Sequence, residues 1–402
     1  MCGRGRSPLV VSVDMGYGHL RAAWPLAERL GTSVQRADLP PLASAAERRV
    51  WSAARGTYER LSRLSQRSLI GRPFDVLFRR LTAIRALAPR GGERRPDRAS
   101  KILGRCIERG LASRLCEDLE SAGSPLLTTF YAPAIAADRR TSMPVFCVVT
   151  DTDIHRVWAP LDGDRSRIRY LVPATATADR LLAYGVHQAN IEITGFPLPA
   201  KLEDRAEKLL EGRLRRLEGR AGEPPLLTVA IGGAGAQAGR VRRLLRCLAG
   251  PLRSGDLRVA LVAGLRHRLA RRFDRWVAVE LAKAAGSVEV IEARDFAELY
   301  RRFNTLLERT DALWTKPSEL SFYAALGLPL ILDDPVGDHE HANARWLLDG
   351  GAARIRPAGG ALETEVPAWF GDGTLGGCAR AAFDRLPRGG TARIADYVLS
   401  HS

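Results

Sequence analysis

The sequence predicts an α/β protein built on two parallel sheets, with a cleft between their carboxyl ends. Short apolar runs alternate with helical stretches from residue 8 to 197, and a second such series runs from 224 to 332. Each series opens with a strand that ends in a glycine-bearing turn, DMGYGH at 14–19 and AIGGAGAQAGR at 230–240. Runs such as LPLIL at 328–332 are apolar at consecutive positions, as a strand covered on both faces requires. Strands separated by helices pair in parallel through right-handed crossovers, and ligands collect beyond their carboxyl ends.

In the first series, PLVVSVD (8–14), VQRADL (34–39), SPLLTTF (124–130), PVFCVVTD (144–151), RIRYLVP (167–173) and NIEITGFP (190–197) read as strands. LRAAWPLAERLG after the first turn and ATADRLLAYG before Gly185 read as helices closed by glycine. Residues 44–120 turn helical and basic, broken by the loop APRGGERRPD at 88–97. The charged stretch 201–222 reads as an interdomain helix. PPLLTVAIGG (224–233), LRVALVAG (257–264), SVEVIEA (287–293), DALWT (311–315) and LPLIL (328–332) form the second series. The expected domains are 1–200, with a helical basic insertion at 47–120, and 201–375, followed by a C-terminal helix in 376–402 that packs back.

Apolar residues make up 46% and charged residues 26% of the 402-residue chain, a globular balance with room for two cores. The formal net charge is +16, and 18 Lys/Arg against 6 Asp/Glu place +12 of it within residues 47–116. A solvated helical face accounts for such a block, attraction to anionic lipid comes next, and nucleic acid after that. Aromatics at only 6%, without a stacking motif or zinc module, argue against nucleic acid. The cysteines (Cys2, Cys106, Cys116, Cys147, Cys247, Cys378) form no C-x-x-C pair, which suits free thiols in a reducing cytoplasm. The apolar run from Pro8 stops at Asp14, too short for a signal peptide, and no run approaches the roughly 18 residues of a membrane span. A cytoplasmic protein, peripheral at most on the membrane, is expected.

Four constellations could carry chemistry. In DMGYGH, Gly16 and Gly18 let the backbone bend and a ligand approach, and His19 at the helix start could take a proton from a hydroxyl. A plain strand-to-helix turn with a surface histidine fits too. In AIGGAGAQAGR, Gly232, Gly233 and Gly235 free backbone N–H groups for phosphate oxygens. The following strand closes on Gly264 and Arg266 rather than an acidic residue, so phosphate fits and nicotinamide does not. In VVTDTDIHRVWAP, Asp151, Asp153 and His155 could bind a divalent ion, although a strand end dropping polar residues into a cleft explains them as well. Between 311 and 353, Lys316, Ser318, Glu319 and Ser321 occupy one turn, and His339, Glu340, His341 and Asn343 another. Two helix starts so equipped suit a nucleotide diphosphate with its sugar, or are simply capped and solvated.

Taken in order, these segments resemble the monogalactosyldiacylglycerol synthase family and, more distantly, the peptidoglycan N-acetylglucosaminyltransferase family. DMGYGH is similar to the first family's D-T-G-G-G-H. VVTDTDIHRVWAP, ITGFPL, TVAIGGAGAQAG, VALVAGLRHRL, DALWTKPSELSFYAALGLPLIL and DHEHANARWLLDGGA follow in the family's sequence, over about residues 9–355 and weakly between 40 and 120. The resemblance implies two facing Rossmann-like domains (GT-B) and an inverting transfer of a hexosyl group from a uridine-diphosphate sugar to a lipid hydroxyl. It implies His19 and Asp151 near the acceptor hydroxyl, with Gly16, Gly18, His155 and Trp158 on that side. It places Gly233, Gly235, Ser321 and His339 near the diphosphate, and Glu340 and Asn343 near sugar or ribose. No metal or other cofactor is required, and the basic insertion lies where such enzymes meet the membrane.

The chain also departs from the family pattern. K-P-G becomes Lys316-Pro317-Ser318, Glu319 replaces a small residue, and Tyr17 interrupts the first glycine triplet. The family's acidic residue on the following helix falls on Phe322 or Ala324, neither acidic. These departures keep two rivals in play: a nucleotide-sugar 2-epimerase on the same architecture, and a non-catalytic nucleotide-binding protein.

Overall fold

The inner apolar runs close into strands because both of their faces find cover. The computed structural model describes residues 7–65, 84, 92–230, 238–335 and 337–402. The chain divides into two units, Met1–Ala200 with Gly337–Ala342 and Pro387–Ser402, and Lys201–Val336 with Asn343–Leu386.

The first unit holds β1 (Leu9–Ser12), β2 (Gln35–Arg36), β3 (Leu126–Thr128), β4 (Val145–Val148), β5 (Arg169–Val172) and β6 (Ile191–Ile193). They run parallel in the order β2-β1-β3-β4-β5-β6. Alternate residues serve opposite faces. Val11, Val13, Cys147, Val149 and Tyr170 join one buried cluster. Val10, Phe146, Val148 and Leu171 join another with Leu26, Ile394 and Val398. Leu26 comes from the helix Tyr17–Arg29, and the other two from the last helix, Gly390–Ser400. In the basic region the described helices are Ala45–Ser65, Arg98–Glu108 and Ser113–Ala122.

The second unit holds β7 (Leu226–Ala230), β8 (Arg258–Gly264), β9 (Val288–Glu292), β10 (Ala312–Thr315), β11 (Leu330–Leu332) and β12 (Ala353–Ile355). Their order is β12-β11-β10-β7-β8-β9, again all parallel. The three-residue edge strand β12 was not expected. Its residues Arg354 and Ile355 are exposed, so the continuous apolar run that marks the inner strands is missing there.

Two elements depart from the expected helices. The charged stretch after residue 200 breaks into Ala200–Glu203 and Ala206–Leu217, because Arg205 leaves helical geometry at φ −112° and ψ 10°. The segment after Lys316 is a 3-10 helix, Glu319–Leu326, with Leu320–Leu326 all buried. At a rise of roughly 2.0 Å per residue, eight residues of 3-10 helix cover a length that needs about eleven in an α-helix. It ends at Gly327, where φ is 67° and a Cβ would lie 2.8 Å from Leu210 Cδ1.

Arg213, on Ala206–Leu217, fastens that ending. It is 1% exposed and donates to the carbonyls of Thr310 (2.9 Å), Leu326 (3.1 Å) and Gly327 (2.7 Å). Burial pulls its guanidinium down to about 10, still charged at neutral pH. Removing it strands buried carbonyls, each of which costs roughly 1–3 kcal/mol. Arg213→Met should therefore lose on the order of 3 kcal/mol in urea unfolding; an unchanged midpoint would show that the carbonyls find other partners.

Candidate active site at the strand ends

Sheet order decides where a ligand can sit. In the first unit β1 continues to β2 on one side and, after the helical region, to β3 on the other, so the strand order reverses between β1 and β3. In the second unit the reversal falls between β7 and β10. Crevices open beyond the carboxyl ends of strands at such reversals.

His19 stands at the first reversal. Gly16 precedes the helix with φ 120°, a conformation that favours glycine, and Tyr17, Gly18 and His19 form the first helical residues. The half-buried His19 ring meets the Thr129 carbonyl at 2.8 Å through Nδ1, one residue beyond β3. A carbonyl only accepts, so Nδ1 carries the hydrogen and, in the neutral ring, Nε2 carries the lone pair. Thr150, beyond β4, places Oγ1 3.3 Å from the same Nδ1. Burial lowers the His19 pKa below its ordinary 6.5, the Asp151 carboxylate and the Thr129 carbonyl oppose that shift, and His339 adds to it. At neutral pH the ring is therefore an uncharged base facing a carboxylate field.

Aromatic rings wall this histidine. Phe130 meets it edge-on at 4.7 Å, and Trp158 lies 6.1 Å away. Trp158, expected on the acceptor side, is 4% exposed and packs in the core, so it backs the histidine from behind. His155 lies 5.9 Å from His339, which clusters with the first unit. Glu340 is buried in the same segment and His341 is exposed. Asp153, the second carboxylate of D-x-D, is claimed by Arg180 at 2.8 and 2.9 Å and also accepts from the Ile154 N–H. Among the described residues no group of three or more His, Cys, Asp or Glu side chains is placed to hold a metal ion.

In the second unit the Thr315 hydroxyl donates to the Ala230 carbonyl at 3.0 Å, joining the ends of β10 and β7. Gly232, Gly233 and Gly235, which follow β7 in the sequence, lie outside the described residues. Gly264 ends β8 with φ 66°, and Arg266 precedes the helix His267–Leu281. Lys316 is 9% exposed, whereas Ser318 and Glu319 are half-buried. Ser321, expected at the diphosphate, is fully buried, and its hydroxyl has no hydrogen-bond partner among the described residues. Asn343, expected near sugar or ribose, is also fully buried, and its amide donates to the Pro317 carbonyl at 3.1 Å. It braces the turn after β10. Phe322 and Ala324 are buried, Phe322 against Trp346 at 5.3 Å.

Thr129 and Thr150 escaped the sequence reading. Their only signal was a polar residue at the end of an apolar run, in SPLLTTF and in PVFCVVTD.

No family model matches the chain. Over 221 residues it is 28% identical to a processive diacylglycerol beta-glucosyltransferase of Bacillus subtilis, which covers 54% of this chain and 52% of that protein. The chain thus spans about half the length of the curated relatives it matches. A UDP-GlcNAc 2-epimerase from Neisseria meningitidis bound to UDP-GlcNAc superposes with a TM-score of 0.54 at 12% identity, over 97% of this chain and 98% of that one. A UDP-glucosyltransferase from Polygonum tinctorium gives a TM-score of 0.52 at 15% identity, over 98% and 99%. The fold is accordingly the two-domain Rossmann-like architecture of GT-B proteins.

Because the native His19 ring resists protonation, the unfolded chain binds a proton that the folded protein refuses once pH drops below 6.5. This contribution to stability is present above that value and shrinks as pH falls through it. Urea unfolding between about pH 5 and 7 should show a weaker acid loss for His19→Gln than for the parent; parallel curves would mean that the native ring titrates normally.

Proposed function

We propose that the protein is a glycosyltransferase that moves a hexosyl group from a uridine-diphosphate sugar to a lipid hydroxyl, with inversion. The observation that carries the reading is the geometry of His19, fixed through Nδ1 to the Thr129 carbonyl at the β1/β3 strand ends, with burial lowering its pKa. The likeness to diacylglycerol glucosyltransferases of Bacillus supports the lipid acceptor and the glucosyl donor. In this reading His19 Nε2 takes the acceptor's hydroxyl proton as the oxygen forms its bond to the anomeric carbon. The bond from that carbon to the diphosphate oxygen breaks, and uridine diphosphate departs with the electron pair. One displacement inverts the centre. Asp151 stabilises the imidazolium that forms, as an opposite charge does for any buried cation.

The second unit holds the donor in this account, with Gly232, Gly233, Gly235, Gly264, Arg266, Lys316 and Ser318 on its phosphates, and Glu319 nearby. Asn343 contributes by bracing that turn. The basic region at 47–116 meets an anionic membrane, where it would bring the enzyme to its acceptor. Among the described residues no helix is long and apolar enough to cross a membrane.

Incubation with radiolabelled UDP-glucose and diacylglycerol in anionic vesicles should yield glycolipid. His19→Ala should reduce that rate by at least about 10²-fold, the smaller end of what a positioned base contributes. Uridine diphosphate at about 100 times its dissociation constant should still stabilise the variant by roughly 2.7 kcal/mol. A variant as fast as the parent would remove the base role. Release of an isomerised nucleotide sugar without acceptor would favour an epimerase, and nucleotide binding without any turnover a non-catalytic protein.

A further inference from the structure

We propose that Thr150 and Thr129 are positioning residues that hold His19 as its Nδ1–H tautomer and so present Nε2 as the proton acceptor. The inference rests on the base role proposed for His19. A neutral imidazole can carry its hydrogen on either nitrogen, and the partner of one nitrogen decides which. At His19 the same nitrogen has two oxygens, the Thr129 carbonyl at 2.8 Å and Thr150 Oγ1 at 3.3 Å. The carbonyl cannot donate. With the hydrogen on Nε2 instead, the Nδ1 lone pair would face the carbonyl oxygen, and the hydrogen bond would become a repulsion. With the hydrogen on Nδ1, the Thr150 hydroxyl accepts from the side and limits rotation of the ring.

Thr129 grips the histidine twice. Its carbonyl takes the ring hydrogen, and its hydroxyl, 2.8 Å from the His19 carbonyl, donates to the main chain of the same residue. That hydroxyl also lies 3.0 Å from Ser12 Oγ at the end of β1. Thr129 and Ser12 are fully buried and Thr150 is 3% exposed, so water does not compete freely for these bonds. Hydroxyls at the carboxyl ends of three neighbouring strands thus converge here: Thr129 after β3 and Thr150 after β4 on His19, and Ser12 of β1 on Thr129. Among the described residues the ionisable groups acting on that ring are Asp151, just beyond Thr150, and His339 from the 337–342 segment.

Thr150→Val keeps the shape and removes the hydroxyl. It should lower kcat about ten-fold, the rate equivalent of one hydrogen bond, while KM for the nucleotide sugar stays at the parent value. An acceptor on Nδ1–H favours the protonated ring, so its loss should move both the acid limb of kcat and the His19 NMR titration to lower pH. Thr150→Ser should restore all three. Parent values of kcat, acid limb and ring titration in Thr150→Val would overturn the proposal. A loss of KM alone, or a loss of folded protein that Thr150→Ser does not repair, would also overturn it, since either marks a structural threonine. Should the parent show no glycosyl transfer while the ring titration moves as expected, the transferase reading fails and the positioning of His19 stands.

Discussion

The hydrogen bond from His19 to the Thr129 carbonyl joins two elements 110 residues apart in the chain. It exists only because β1 and β3 pair in the register that sets Val11 against Thr128. A slip of one residue would turn every side chain of a strand to its other face. Here both faces are filled, so each register error would cost apolar burial on two sides. A fully buried Val, Leu or Phe is worth roughly 1.5–3 kcal/mol relative to exposure, which exceeds the net worth of the hydrogen bond itself. Packing therefore sets the site, and the polar contact only reads out where packing has placed the strand ends.

The second unit uses its polar residues in the same subordinate way. Arg213 secures the end of the 3-10 segment, Asn343 secures Pro317 near its beginning, and Thr315 secures β10 to β7. Past β11, Asp333 is fully buried yet paired with Arg240 and with Arg356 at 3.1 Å. Asp334 is paired with the same two arginines at 2.9 and 3.0 Å. Two positive and two negative groups so interleaved keep a buried carboxylate from standing alone, which would cost several kcal/mol. The strand ends of this unit are thus braced by side chains drawn from remote parts of its sequence.

The strands and the two series they form were legible because apolar runs bounded by glycine and proline carry their own signal. Edge strand β12 was not, since Ala353–Ile355 has no such run. His19 was legible from its place after two glycines. Its partners were not, because a threonine closing a strand looks the same whether it meets solvent or a histidine ring. D-x-D stayed open for a related reason: nothing in the string shows that Arg180, 27 residues onward, pairs with Asp153. Asn343 and Ser321 fell where polar residues at helix starts usually face a ligand, but tertiary packing buried both. Local pattern finds the turn; it does not say which side chains of the turn point outward.

Which nitrogen of His19 carries the hydrogen decides whether this histidine can act as the base. Nitrogen-15 NMR of the ring in the parent protein near neutral pH measures this directly. The structure requires a protonated Nδ1 and an Nε2 with the shift of a bare lone pair. A protonated Nε2 with a bare Nδ1 would contradict the Thr129 hydrogen bond and, with it, the assignment of this histidine as the base.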